Sequence, residues 1–282
     1  MEKKNRPLIS AVVTTFNEER NIKDCLESLL WTDEIVAVDS FSTDRTVEII
    51  QSFPQVTFYQ RKYFGAASQK NWVMDQTHHP WIFIIDADER VTPELRDEIL
   101  RILEDGPASD ACIVNREVYF LDKRLRFSGW QHDRVVRLIK RGAGRYPDKR
   151  VHADMKVDCT PLILKHPLKH YMIESFQQYL PRIVNYGFWG AAQGWRTHRT
   201  AGFFQVFGRT VWRFLRMYVF QLGFLDGMHG LVFCMLQAFG TYLKWAILWE
   251  WRQNAKRGYP PKLPEFDEDE ETWKKKTGGA KD

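Results

Sequence analysis

Two short acidic stretches carry the first chemical signal in this sequence. Asp86-Ala87-Asp88 closes the apolar run Trp81–Asp86, and Asp39 closes the run Glu34–Asp39 ahead of Ser40-Phe41-Ser42-Thr43-Asp44. Carboxylates two apart in extended chain project to one side and can share one hard cation. Mg2+ and Mn2+ favour one or two carboxylates together with substrate phosphates. An acid at the end of a buried strand is costly unless it is ligated or hydrated. Asp86 and Asp88 are therefore expected to hold Mg2+ or Mn2+ over a diphosphate. The acid and hydroxyls of residues 38–46 are suited to a nucleoside base and ribose, with helix capping by Ser42 or Thr43 accounting for part of the pattern.

The elements that must position these residues alternate. Leu8–Thr14, Glu34–Asp39, Val56–Tyr59 and Trp81–Asp86 read as strands. Glu19–Trp31, Asp44–Phe53 and Ala66–Gln76 read as helices, and Thr92-Pro93-Glu94 opens another with a hydroxyl cap and proline at the first helical position. Strands with continuous apolar character joined by helices predict an α/β fold with a mostly parallel sheet covered on both faces. Ligands of such sheets sit beyond the carboxyl ends of the strands, where Asp39 and Asp86 lie. From Asp110 to about Lys169 shorter pieces such as Ala111–Phe120 and Val135–Lys140 predict some antiparallel pairing, which makes the sheet mixed.

Four motifs in order then resemble the inverting family-2 glycosyltransferases of GT-A (Rossmann-like) fold. They are Thr14-Thr15-Phe16-Asn17-Glu18, Val38-Asp39 with Ser42-Thr43-Asp44 and Thr46, Gly65 with Lys70-Asn71, and Asp86-Ala87-Asp88-Glu89. Gly129-Trp130-Gln131-His132-Asp133 with Arg137-Leu138, Val151-His152 and Gly223-Phe224-Leu225-Asp226-Gly227 are similar to the bacterial branch that builds lipopolysaccharide cores. The resemblance spans about residues 8–250. It implies that Thr15, Asn17 and Glu18 line a nucleotide pocket, that Asp39 contacts uracil or ribose, and that Lys70 approaches the diphosphate. Asp86 and Asp88 would hold the ribose and the metal, and Asp133 would be the general base, with Glu89 or Asp154 as substitutes. Two positions depart from the family pattern. Asp39-Ser40-Phe41-Ser42 stands for the usual Asp-Asp-Gly-Ser, and Ala153 follows Val-His where the family commonly has glutamate.

Charge and aromatic residues are unevenly spread. The whole chain has a net charge of +5, yet residues 179–262 hold eleven basic residues against Asp226 and Glu250, with 20 of the chain's 40 aromatics. Basic and aromatic together point to an anionic partner with an apolar side, a lipid surface or single-stranded nucleic acid. Arg209, Arg213 and Arg216 are expected to form one basic stripe on an apolar helix. The uncharged run Gly227–Leu243 has 17 residues, short of the roughly 20 that a spanning helix needs. The C-terminal segment is therefore read as amphipathic helices lying in a membrane interface, with a buried helical cap as the bland alternative. Six acids within Glu265–Glu271, followed by Lys274-Lys275-Lys276, form a charged tail.

These readings give three regions: 1–170 for nucleotide-sugar binding and catalysis, 171–255 for membrane association, and 256–282 as the tail. Cys25, Cys112, Cys159 and Cys234 include no Cys-x-x-Cys pair, which suits a reducing cytosol. The N-terminus lacks the pattern of a signal peptide. His166 and His170 are read as packing or solvated histidines because Pro167 interrupts any shared helical face. His78-His79 is read as a turn, and Gly142/Gly144 with Arg141 and Arg145 as a plain basic hairpin. The function expected is transfer of a sugar, UDP-hexose foremost, to a lipid-linked glycan on the cytoplasmic face of an inner membrane. The rivals are a polyprenyl-phosphate glycosyltransferase and a non-catalytic nucleotide-sugar or nucleic-acid module, with the intact acids weighing against the latter.

Overall fold

A computed structural model describes residues 6–147 and 154–263. Val151-His152, Ala153 and the acidic stretch from Glu265 lie outside the described residues. The chain runs β1 (Ile9–Thr15), α1 (Ile22–Glu27), β2 (Glu34–Asp39), α2 (Thr46–Gln51), β3 (Val56–Gln60), α3 (Ala66–Asp75), β4 (Trp81–Asp86), β5 (Glu89–Val91) and α4 (Pro93–Asp105). There follow β6 (Ala111–Phe120), β7 (Lys123–Arg124), β8 (Arg134–Lys140), β9 (Gly144–Arg145), β10 (Lys156–Val157), β11 (Leu162–Ile163) and β12 (Leu168–Ile173). The remainder is helical: α5 (Phe176–Arg196), α6 (Arg209–Leu215) between two π turns at Phe204–Gly208 and Arg216–Phe220, and α7 (Gly227–Lys256).

The main sheet has the order β3-β2-β1-β4-β8-β6-β12-β5. β3, β2, β1 and β4 are parallel, whereas β8 runs antiparallel to both β4 and β6, and β12 antiparallel to β5. The sheet is thus mixed and mostly parallel on the side that carries the acids. Val13, Ile85 and Leu26 pack on one face, and Val12, Ile84 and Val73 on the other. Burial of both faces explains why these strands are continuously apolar. Thr92 caps α4 by accepting the Leu95 N–H at 3.2 Å.

Among the described residues the chain divides into two compact units, 6–116 with 132–147 and 154–170, and 117–131 with 171–263. Residues 117–131 group with the C-terminal helices rather than with the strands that flank them in sequence. Within the second unit, Phe120, Phe233 and Met217 anchor one apolar cluster, and Ala191, Trp245 and Leu248 a second. Asp226 explains the Gly223–Gly227 motif there. Its carboxylate accepts the backbone N–H of Arg126 and of Phe127, both at 3.0 Å, and Lys123 Nζ donates to its carbonyl at 3.1 Å. The expected three-arginine stripe does not form. Arg209 and Arg216 are exposed, but Arg213 is half-buried on the side of the helix that Phe214 and Met217 turn toward the apolar cluster.

Candidate active site

The site begins with the register of three parallel strands. Thr15 of β1 sits beside Asp39 of β2, and Thr14 beside Asp86 of β4, so the expected acids share one level at the carboxyl ends. The β1–α1 and β2–α2 loops are laced together there. The Asn17 N–H donates to Ser42 Oγ at 2.7 Å, the Thr43 N–H to Asn17 Oδ1 at 2.8 Å, and the Glu18 N–H to Thr46 Oγ1 at 2.8 Å. Asn17 adopts φ 53°, a left-handed conformation that asparagine tolerates better than most residues. Neither Ser42 nor Thr43 caps α2, whose N-cap residue is Arg45. Instead the Ser42 hydroxyl donates to Asp39.

Asp39 is 0% exposed. It accepts the Ser42 N–H at 2.8 Å, the Ser42 hydroxyl, and the Gln60 amide at 3.2 Å. Its carboxylate therefore organises the turn over residues 39–42, and a ligand reaches it only if the Gln60 amide yields. Thr15 differs. Its buried Oγ1 has no hydrogen-bond partner among the described residues, an arrangement that costs free energy until a partner arrives.

The Asp86 carboxylate is held by two cations. Lys70 Nζ, from α3, lies 2.7 Å from Oδ1, and Arg137 Nη2, from β8, lies 2.6 Å from Oδ2. Thr14 Oγ1 donates to Oδ1 at 3.0 Å. Burial pushes this carboxyl upward, but Arg137 and Lys70 outweigh it and hold it well below the usual carboxylate range. Gly65 starts α3 at φ 114°, a conformation open chiefly to glycine, and Asn71 pins the helix by exchanging hydrogen bonds with the Tyr146 backbone. These two features fix where Lys70 points.

Asp86 and Asp88 are not related by extended chain, because Ala87 and Asp88 form a turn between β4 and β5. The turn sends Asp88 elsewhere. β5 pairs with β12 so that Glu89 faces His170, and His170 Nε2 comes within 3.4 Å of Asp88 Oδ2. His170 is buried. Burial disfavours its charged form, but the neighbouring Asp88 carboxylate raises its pKa above the ordinary value. His170 is packed in the interior, and the sequence reading missed this contact. Its cause is strand pairing, not helical spacing, so the i, i+4 test could not find it.

Glu89 is 0% exposed and joins the two halves of the site. Its Oε2 accepts the Asp86 N–H at 3.0 Å, while Oε1 meets Arg137 Nη2 and, at 3.2 Å, Arg116 Nη1. Arg116 in turn grips Asp133 by both oxygens, Nε to Oδ2 at 2.8 Å and Nη2 to Oδ1 at 3.0 Å. The result is one chain of alternating charge, Lys70–Asp86–Arg137–Glu89–Arg116–Asp133. Glu89 cannot serve as a base on a ligand, since it has no exposed surface. Asp133 keeps 16% of its side-chain surface open and has spare lone pairs on each oxygen. Asp154 is exposed, and among the described residues no hydrogen bond or ion pair joins it to this network.

Parallel strands ending in acids, a lysine held on one of them and a separate, partly open carboxylate are features that fit a sugar-nucleotide transferase. The Glycosyl transferase family 2 profile matches residues 10–172, more than half of the chain, and the protein belongs to that family. It is thus an enzyme of GT-A type that uses nucleotide sugars. It is 29% identical over 255 residues to the lipopolysaccharide core biosynthesis glycosyltransferase LpsC of Rhizobium meliloti, covering 85% of this chain and 93% of that one. An uncharacterized glycosyltransferase of Rickettsia typhi is 24% identical over 86% of this chain and 87% of its own length. Among solved structures, S. aureus TarS in complex with UDP-GlcNAc aligns over 89% of this chain and 92% of that one, at 13% identity and a TM-score of 0.46.

Proposed function

We propose that this enzyme transfers a hexose, with inversion, from a UDP-sugar to a lipid-linked glycan, and that the acceptor is a lipopolysaccharide inner core. The observation that carries the catalytic part is the charge chain from Lys70 to Asp133. It joins the lysine that would bind the diphosphate to a partly open carboxylate through one network of ion pairs. The likeness to a core-biosynthesis relative supports the choice of acceptor over a polyprenyl phosphate.

In this reading residues 1–170 carry the donor and the chemistry. Thr15 Oγ1 gains its missing partner from the nucleotide, Asn17 and Glu18 shape the same corner, and Asp39 takes a base or ribose donor in exchange for the Gln60 amide. Lys70 moves from Asp86 to the diphosphate, which leaves Asp86 on Arg137 and open to a ribose hydroxyl. The acceptor hydroxyl loses its proton to Asp133 as its oxygen bonds to the anomeric carbon, and the bond from that carbon to the diphosphate oxygen breaks. One displacement at the anomeric centre inverts its configuration. No enzyme nucleophile is required.

A divalent cation, Mg2+ or Mn2+, suits this site. Asp86 stays paired with Arg137 and is given to the ribose in this reading, so the ligand role expected of both acids falls to Asp88, with His170 beside it. Two protein donors completed by diphosphate oxygens match the habit of these hard cations. When bound, the ion neutralises the departing diphosphate. Residues 171–255 would face the membrane, with the enzyme peripheral on the cytoplasmic face of the inner membrane. Release of nucleoside diphosphate over a panel of nucleotide sugars, with Mn2+ present, tests the reading. Binding without turnover on every donor and acceptor would favour a non-catalytic module.

A further inference from the structure

We propose that the helix over residues 203–220 docks on an anionic lipid bilayer, lying in its plane with its outward half inserted at the headgroup level. The inference deepens the reading of a lipid-linked acceptor and rests on it for its purpose. Its evidence is independent. A helix on a soluble surface turns polar residues outward, and this one does the reverse.

The π turns at Phe204–Gly208 and Arg216–Phe220 flank α6 and stretch the helical repeat toward four residues per turn. Rows of every fourth residue therefore stay aligned. Phe203, Phe207, Val211, Leu215 and Val219 make one exposed row. Phe204, Trp212 and Phe220 make the neighbouring one, with Phe204 79% and Phe220 67% exposed. Arg216 is the single charge within these two rows. On the opposite side Val206, Phe214, Met217 and Tyr218 enter the apolar clusters of the C-terminal unit. The helix is apolar on both sides, and among the described residues only one side enters an apolar cluster.

Charge selects the occupant. Residues 175–225 carry six arginines and no aspartate or glutamate. Arg216 is exposed within the apolar rows, where its long side chain can reach anionic headgroups while phenylalanines and Trp212 sit below it, and Arg209 is exposed beside them with its guanidinium over the Trp245 ring at 4.9 Å. Gly223–Lys256 is long and apolar enough to cross a membrane by length and composition, and 39% of its most apolar stretch is buried within the protein. Its partner is α5, which it meets along Gly187, Gly190 and Gly194, with a further cluster at Ala191, Leu248 and Trp251.

Flotation of the full-length enzyme with glycolipid-free vesicles of phosphatidylglycerol and phosphatidylethanolamine tests this. The parent should float. Phe204→Glu/Phe220→Glu should lower the partition coefficient by on the order of 100-fold, because each inserted phenylalanine is worth more than about tenfold. Leu30→Glu, which alters an exposed apolar residue of the other unit (51% exposed), should change nothing. Vesicles of phosphatidylcholine alone should bind more weakly, and 1 M salt should leave part of the binding to anionic vesicles. Both aromatic positions are solvent-facing, so the double variant should keep the parent's far-ultraviolet spectrum and Tm. Equal flotation of parent and double variant overturns the proposal. So does a parent that ignores vesicles but forms a dimer that the double variant loses, since the face then binds a second copy. Transfer to a soluble deacylated acceptor, assayed in parallel, separates the two readings: lost flotation with retained transfer removes only the docking surface.

Discussion

Arg116 grips both carboxylate oxygens of Asp133 while its remaining amino group rests on the buried Glu89. The accessible acid is thereby aimed by a residue that contacts the donor-side network. Asp133→Asn should lower kcat by about 10²–10⁴-fold, the usual contribution of a general base. Nucleotide affinity should hardly change, because in the proposed mechanism Asp133 would meet the acceptor and not the diphosphate. Steady-state kinetics with calorimetry of UDP binding reads both quantities.

Asp88 and His170 should behave as a pair toward metal. Asp88→Asn and His170→Ala are each expected to weaken Mn2+-dependent UDP binding by at least about tenfold. Lys70→Ala should weaken UDP binding with or without the metal, since its ammonium acts on phosphate directly. Titrations of UDP with Mn2+ and with a chelator distinguish the two behaviours. Equal losses under both conditions for Asp88→Asn would remove Asp88 from metal binding.

Glu89→Gln should damage the fold as well as the chemistry. Its carboxylate balances two largely buried guanidinium groups, Arg116 and Arg137, and breaking a buried pair typically costs about 3–5 kcal/mol. Asp226→Ala should destabilise the C-terminal unit by a separate route, stripping two backbone N–H groups of their acceptor at about 1–3 kcal/mol each. Urea denaturation at pH 7 measures both.

Glu34 offers a pH test away from the site. Burial raises its pKa, but the Ser10 hydroxyl and the His78 side chain and N–H outweigh that and hold it below the ordinary 4.5. A carboxyl depressed in the folded state contributes stability that is fully present above the unfolded value. That stability is lost as pH falls through the folded value. The difference in urea midpoint between the parent and Glu34→Gln should therefore be largest at neutral pH and shrink below about pH 4.5. A gap that stays constant from pH 7 to pH 3 would contradict it.

What could be read from the sequence followed from local pattern. Continuous apolar runs ending at Asp39 and Asp86 identified central parallel strands and the level of the site, and Thr92-Pro93 marked a helix start. The contacts missed are those made by pairing between distant strands. His170 reaches Asp88 only because β12 lies antiparallel to β5, and Arg116 reaches Asp133 only because β6 pairs with β8. A single arginine in a strand carries no signal of this kind. The expected sharing of a metal by Asp86 and Asp88 failed on local geometry, since a turn replaces the extended chain assumed between them. The half-burial of Arg213 likewise follows from which side of α6 meets the apolar cluster of the C-terminal unit, which spacing alone does not reveal.

The central claim is a sugar transfer in which Asp133 takes the acceptor proton. Its most direct test is NMR analysis of the product formed from UDP-hexose and a deacylated core oligosaccharide with Mn2+, by the parent and by Asp133→Asn. The account predicts a glycoside whose anomeric configuration is opposite to that of the donor, formed by the parent and reduced to trace amounts in the variant. A product that retains the donor's configuration, or that the variant forms at the parent's rate, would contradict it.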